Sequence, residues 1–335
     1  MRTATVFCGI IDAMENSFNI SSPCDSAERC GARTCGGVSI DRRTFVSSLA
    51  AFGVGPIALG TAGCAAPEKA KAKFSAWDEV TLGNTGIRTT RLGFGTGVNA
   101  HNRSSGILRR NGREGAVKLL RAAYERGIRF FDTADSYGTH DVIREALAPF
   151  PRASYTICSK YWYQRGGIPK EDHVDVETSV NRFLRELGTD YIDILQIHCV
   201  SQADWTTALV PHMEGLERCK KAGKIRAHGC SFHGASSLPK APEMKWLDVA
   251  HVQVNPFGRV MGLPPDRTLE IVHKLRAAGK GVIGMKVLGV GSFAKEGRID
   301  ASLSWVLQNG AADVLDIGFL DLAEIDDLAR RIASV

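Results

Sequence analysis

Gly93-Phe94-Gly95-Thr96-Gly97 closes the first strand-like run of this chain, and its reading decides the architecture. Two folds alternate strands with helices along a sequence: the doubly wound sheet and the (β/α)8 barrel. A doubly wound nucleotide-binding sheet needs G-x-G-x-x-G at its first turn, leading straight into a helix. Here the glycines stand at 93, 95 and 97, so neither possible register has its third glycine. A long stretch, 98–113, comes next in place of an immediate helix. The pattern therefore predicts a barrel.

On either side of this run, eight strand candidates alternate with amphipathic helices: 91–96, 129–134, 155–160, 191–198, 225–232, 249–255, 281–287 and 313–319. The helices place apolar residues at three- and four-residue steps, as in Val176, Val180, Phe183, Leu184 and Leu187. Gly127, Gly188, Gly223, Gly279 and Gly310 stand where helices should stop. Ahead of the first strand, 80–88 reads as a hairpin with its turn around Asn84–Gly86. The expected fold class is an α/β (β/α)8 TIM barrel over 80–335, preceded by a short N-terminal β-hairpin.

The chain has 335 residues and a net charge of +6. That charge suits an anionic cofactor and is far too small, and too scattered, to indicate nucleic acid. The nine cysteines form no CxxC pair, so neither a zinc ribbon nor an iron–sulfur cluster is expected, and no metal site is assigned. Residues 1–40 lack apolar periodicity and read as a disordered leader. Arg42 and Arg43 then precede an uncharged, mildly apolar run, 45–66, and this 41–66 segment resembles a Tat export signal. Thr61-Ala62-Gly63-Cys64 resembles a lipoprotein cleavage box that would lipidate Cys64, with Thr61 departing from the usual Leu. Residues 67–79 read as a polar linker. The Tat machinery is thus an expected partner. The expected location is periplasmic or membrane-anchored, or the cytoplasm where the signal goes unused.

Candidate chemistry collects at the C-terminal ends of strands two to four, where barrel active sites form. Asp132 ends the second strand and Tyr137 follows on its loop; Lys160 ends the third and His198 the fourth. A phenol must lose about three pKa units to work near neutral pH, so Tyr137 needs a cation, and Lys160 is the one on offer. No second carboxylate pair or metal cluster is apparent at the strand ends, which argues against a non-redox lyase or hydrolase.

Asp132, Tyr137, Lys160 and His198 together resemble the catalytic tetrad of the aldo-keto reductase superfamily, and the resemblance runs from about Val80 to the C-terminus. It implies hydride transfer between a nicotinamide cofactor and an aldehyde, ketone or sugar carbonyl. In that scheme Tyr137 is the general acid/base, Lys160 stabilises its phenolate, Asp132 holds Lys160, and His198 orients the carbonyl oxygen. The resemblance further implies that Gly95, Thr96 and Gly97 touch the nicotinamide ribose. Ser231, in Gly229-Cys230-Ser231-Phe232-His233, and Gln253 would bind the carboxamide. In the seventh-strand motif Met285 stands where an aromatic usually stacks on the nicotinamide, and Lys286 and Leu288 come after it. Gly318, Phe319 and Glu324 occupy the positions that usually grip a 2′-phosphate. A carboxylate there is repulsive, so NADP(H) is expected from the family while NAD(H) stays open.

Trp162 and Tyr163, with Tyr161, are expected to line the substrate mouth, and 98–113, with Arg103, Arg109 and Arg110, to form a lid. Because the phosphate clamp and the stacking residue are altered, a second reading stands beside the enzyme. It is a nicotinamide-binding barrel that serves as a sensor or regulatory subunit with little turnover.

Overall fold

The structure, a computed structural model, describes residues 73–335. The leader, the twin arginines and Cys64 lie outside the described residues.

A short hairpin of β1 (Glu79–Thr81) and β2 (Arg88–Thr90) comes first, as the sequence predicts. Its turn pushes Leu82 and Ile87, both fully buried, into the floor of the main sheet. The fit is close: Asn84 donates its backbone N–H to the Gly279 carbonyl at 2.8 Å. A side chain at Gly279, whose φ is +73°, would collide with the Asn84 amide. Gly279 therefore does two things, ending a helix in a left-handed conformation and letting the plug seat.

Eight parallel strands then close a barrel: β3 (Leu92–Gly95), β4 (Phe130–Asp132), β5 (Thr156–Tyr161), β6 (Ile192–Val200), β7 (Ile225–Phe232), β8 (Val249–Gln253), β9 (Gly281–Met285) and β10 (Val314–Ile317). Each pairs with its sequence neighbour and β10 closes on β3. The helices are α1 (Gly106–Glu125), α2 (His140–Leu147), α3 (Val176–Leu187), α4 (Trp205–Ala208), α5 (Val210–Lys221), α6 (Pro265–Ala277), α7 (Ser292–Lys295), α8 (Ile299–Gln308) and α9 (Leu322–Ala333). Their apolar faces and the outward strand positions form one large cluster.

Alternation along the strands sorts the interior into layers. Phe130, Cys158, Ile194, Ala227, Val249, Ile283 and Val314 fill the floor with Leu82 and Ile87. Two residues further along, the layer turns polar: Asp132, Lys160, Gln196, His251 and Asp316. The glycines of β3 make this filling feasible. A Cβ at Gly93 would stand 2.6 Å from the Phe130 ring, and one at Gly95 would stand 2.6 Å from Asp316 Oδ1. What looks in sequence like a near-miss phosphate turn is a strand kept bare so that its neighbours can occupy the barrel.

Two expectations change. Residues 73–79 are no linker: Ala76 is buried, its carbonyl accepts the Leu92 N–H at 2.9 Å, and Phe74 packs against the core. The 98–113 loop is shorter than expected, because α1 starts at Gly106 and breaks at Gly112 (φ +64°, ψ +175°) before continuing. The low apolar periodicity of its first turns hid the helix.

Candidate active site

The C-terminal mouth of the barrel brings the four candidate residues together. β4 delivers Asp132, and the glycine at 138, left-handed with φ +67°, closes the short 3-10 turn that carries Tyr137. Lys160 on β5 puts its ammonium 2.5 Å from each Asp132 oxygen and 3.0 Å from the Thr133 carbonyl. The same ammonium lies 5.0 Å from the centre of the Tyr137 ring. The Tyr137 hydroxyl is 3.4 Å from His198 Nε2, and Ser136 Oγ is 3.5 Å from His198 Nδ1.

Burial dominates the electrostatics of this group. It holds His198 well below its ordinary pKa, helped by the Lys160 charge, so the ring is a neutral imidazole. Burial lifts the Asp132 carboxyl to about 6 even though Lys160 opposes the shift. It tends to deprotonate Lys160, but Asp132 and Tyr137 outweigh it and the ammonium is held above its ordinary value. Burial also pushes the Tyr137 phenol well above 10, against the pull of Lys160. Lys160 therefore does not bring the phenol towards neutrality as expected. Its charge is already taken up by two carboxylate oxygens, and what remains is smaller than the desolvation of a phenolate.

The remaining candidates divide. A Cβ at Gly97 would run into the Tyr137 ring, so this glycine makes room for the phenol. The Thr96 hydroxyl is spent inside, donating to the Asp132 carbonyl at 2.9 Å and lying 2.8 Å from Thr139 Oγ1. Ser231 is fully buried and its oxygen accepts the Cys199 N–H at 2.9 Å, which leaves its proton free to donate. Gln253 pairs with Met285 across β8 and β9 at the rim. Lys286, at φ +62°, comes next in the chain, mostly withdrawn from solvent, with burial lowering its pKa. Leu288 packs on the core from a half-buried position. Gly318 is exposed at the end of β10.

Two placements depart from expectation at the phosphate positions. Phe319 buries its ring against Phe94, with centroids 5.4 Å apart, so its side chain is not presented to a ligand. Glu324 is no exposed repulsive charge. Asp321 caps α9 by accepting the Glu324 N–H at 3.0 Å, and the Glu324 carboxylate turns back to accept the Leu320 N–H at 2.7 Å. That resembles a capping box shifted by one residue, with the N–H before the cap taken in place of the cap's own, and burial lifts the Glu324 carboxyl above the ordinary range.

The aromatic wall is also narrower than expected. Trp162 faces the site, edge-on to His198 at 5.2 Å. Tyr161 and Tyr163 point the other way and pack on His212 of α5, as alternation in extended backbone requires. Arg103 ties its loop to two others by pairing with Asp135 and Asp172, and Arg109 braces its own by donating to the Ser104 and Asn99 carbonyls.

Sequence reasoning missed three features. Cys199 takes φ +56° where the β6–β7 register shifts, a bulge beside His198 with no local sequence mark. Fully buried Asp135, clamped by Arg182 and Arg103, anchors the turn that carries Tyr137. Asp316 and His251 sit inside the barrel at the level of Asp132, so a carboxylate beyond the four candidate residues faces the interior. Their signal was legible, since each lies two residues along its strand from a floor residue, Val314 and Val249. The donor atoms of Asp132, Cys158 and His251 lie within 4.8 Å of one another, and the cation serving Asp132 is Lys160.

This geometry has known relatives. A model of the aldo/keto reductase family matches residues 91–326. The chain belongs to that family. Family members are oxidoreductases that use nicotinamide cofactors. The chain is similar to L-galactose dehydrogenase of Arabidopsis thaliana, 26% identical over 231 residues, which cover 64% of this chain and 67% of that one. It is 27% identical over 204 residues to NADH-specific methylglyoxal reductase of Escherichia coli, covering 55% and 60%. Among solved structures, an aldo-keto reductase from Bacillus halodurans in its holo form superposes with a TM-score of 0.60 at 17% identity, covering 76% of this chain and 91% of that one. That likeness is one of fold. This aldo/keto reductase barrel thus carries its short hairpin ahead of the closed eight-strand sheet.

Proposed function

We propose that this protein reduces an aldehyde, ketone or sugar carbonyl with Tyr137 as the general acid. The observation that carries the reading is the triangle of Lys160, Tyr137 and His198, with Lys160 seated on both oxygens of Asp132. A bound nicotinamide would supply hydride to the carbonyl carbon, and the carbonyl oxygen would then need a proton. Neutral His198 donates a hydrogen bond to that oxygen and fixes its position. Tyr137, held as a phenol by burial, gives it a proton, and the nearby ammonium stabilises the phenolate left behind. A phenol resting in its protonated form suits reduction, where the first demand is for a donor.

The site fits a nicotinamide. Ser231 keeps a free donor, Gln253 ends the neighbouring strand two residues past the partner of Ser231, and the bare Gly97 makes room for the Tyr137 ring. Ser231 and Gln253 would hold the carboxamide, Met285 would pack beneath the ring, and the backbone at Gly318 and Phe319 would face the adenosine end. NADP(H) remains the expected cofactor, and the capping role of Glu324 removes the strongest argument against it. A titration of the full chain with NADPH and NADH tests this, and tighter NADH binding would contradict it. A cofactor-binding protein with no turnover across a broad carbonyl panel would favour the sensor reading instead.

The segment ahead of the barrel is proposed to direct Tat export, with Cys64 as a lipid anchor. Replacing Arg42 and Arg43 with lysine should retain the protein in the cytoplasm, and unchanged export would contradict the proposal.

A further inference from the structure

Asp316 of β10 and His251 of β8 take no part in the carbonyl reduction proposed for this site, yet they share the interior with Asp132 and Lys160. Asp316 Oδ2 lies 3.2 Å from His251 Nε2, and His251 Nδ1 lies 3.3 Å from Gln196 Oε1. A ring nitrogen of His251 is within 4.8 Å of an Asp132 oxygen. Asp316 Oδ1 has no hydrogen-bond partner among the described residues, and the absent Cβ of Gly95 leaves the room it occupies.

The charge balance of this enclosure is what matters. Lys160 is committed to both oxygens of Asp132, so Asp316 has no cation seated on it. Two ionised carboxylates in one low-dielectric interior, only one of them seated on an ammonium, are unstable, and one of them retains a proton into the neutral range. The groups facing Asp316 are Asp132 from β4, Tyr137 from the turn after it, Cys158 and Lys160 from β5, His251 from β8, Lys286 at the end of β9 and the bare Gly95 on β3. Burial raises Asp316 to about 6, with Lys160 and Lys286 opposing. Asp132 stands at about 6 as well, with Asp316 among the groups that raise it. Burial lowers His251 to about 3, so its imidazole does not hold the proton.

We propose that Asp316 is a positioning residue which, in contact with His251, shares one proton with Asp132 and so sets the acidity at which the Asp132–Lys160 couple fails. The event is a single protonation: a proton from solvent joins a carboxylate oxygen, and no electrons move. Once Asp132 holds that proton it grips the ammonium less, and Lys160 no longer sits where it supports Tyr137. The proposal rests on the roles of Lys160 and Tyr137 in carbonyl reduction, and its test includes a readout independent of turnover.

That readout is the carboxylic-acid C=O stretch in infrared spectra of the full chain across a pH series. The wild type should show a buried-acid band that fades as pH rises through about 6. In Asp316→Asn, which is nearly isosteric, Asp132 loses a negative neighbour and the band's midpoint should fall by about one unit. His251→Gln keeps both carboxylates and removes a ring that is already neutral near pH 6, so its midpoint should move by much less than that of Asp316→Asn. The acid limb of kcat/KM for carbonyl reduction should move with the band while KM stays within about twofold. Absence of the band between about pH 5 and 7 in the wild type, or an unmoved midpoint in Asp316→Asn, overturns the proposal. So does a variant that loses activity equally at every pH, which marks a structural residue. If no carbonyl is reduced at all, the enzyme reading fails while the infrared titration still decides the role of Asp316.

Discussion

Lys160 is the residue on which the site's charge turns, because two carboxylates, a phenol and an imidazole all depend on it. Replacing it with Met should lower carbonyl turnover by about a thousandfold, the scale of a lost acid–base partnership. Cofactor binding should persist in that variant, and its loss would place Lys160 in binding instead. Glu324 makes the opposite case at the same scale. With its carboxylate spent on the Leu320 N–H, Glu324→Ala should cost about 1 kcal/mol of stability and leave the NADPH-to-NADH preference nearly unchanged. A large change in that preference, read by titration, would return the residue to the phosphate site. That Asp132, Tyr137, Lys160 and His198 meet at one mouth was legible because three of them fall at strand ends and Tyr137 on the loop just beyond. Glu324 was misread because a residue three positions into a helix looks alike in sequence whether it caps the backbone or faces a ligand.

Two elements do more than connect. The β1–β2 hairpin stops the barrel floor with Leu82 and Ile87, and Leu82→Ala opens a cavity among fully buried neighbours. Chemical denaturation should show a loss of about 3 kcal/mol, and a loss below about 1 kcal/mol would mean that the floor closes without the plug. At the other end, the 3-10 turn of Asp135–Tyr137 is held by the Arg103 and Arg182 pairs on Asp135. Asp135→Asn should lower kcat more than it raises KM, since it loosens the acid without touching the pocket. A rise in KM alone would contradict that assignment. The eight strands and most helices could be read from periodicity. The first turns of α1 could not, because their arginines and asparagine mask the apolar face. Nor could the two-faced aromatic run 161–163, where composition suggests a pocket and only the backbone decides which rings enter it.

For the whole molecule, buried ionisable groups set the pH response. His233 and His251 are both lowered to about 3, chiefly by burial. A depressed histidine contributes stability that is full above about 6.5 and is lost as pH falls through its folded value, since the unfolded chain takes the proton first. Asp132 and Asp316, raised to about 6, act in the opposite sense, favouring the fold at low pH and losing that contribution as pH rises through 6. His251→Gln should therefore lose less stability than the wild type between about pH 6.5 and 4, by about 2 kcal/mol, in a urea series. An unchanged acid slope would show that His251 is protonated in the fold. The polar middle layer behind this balance was hidden by a habit of reading, since barrel strands look apolar even when alternate residues inside them are charged.

The most direct test of the central claim traces deuterium from C4-labelled reduced nicotinamide into the carbonyl product, comparing wild type with Tyr137→Phe. Label should appear on the carbinol carbon with the wild type, and almost none with a variant that still binds the cofactor. Equal labelling by both proteins would remove Tyr137 as the acid, and unlabelled product from the wild type would contradict the oxidoreductase reading itself.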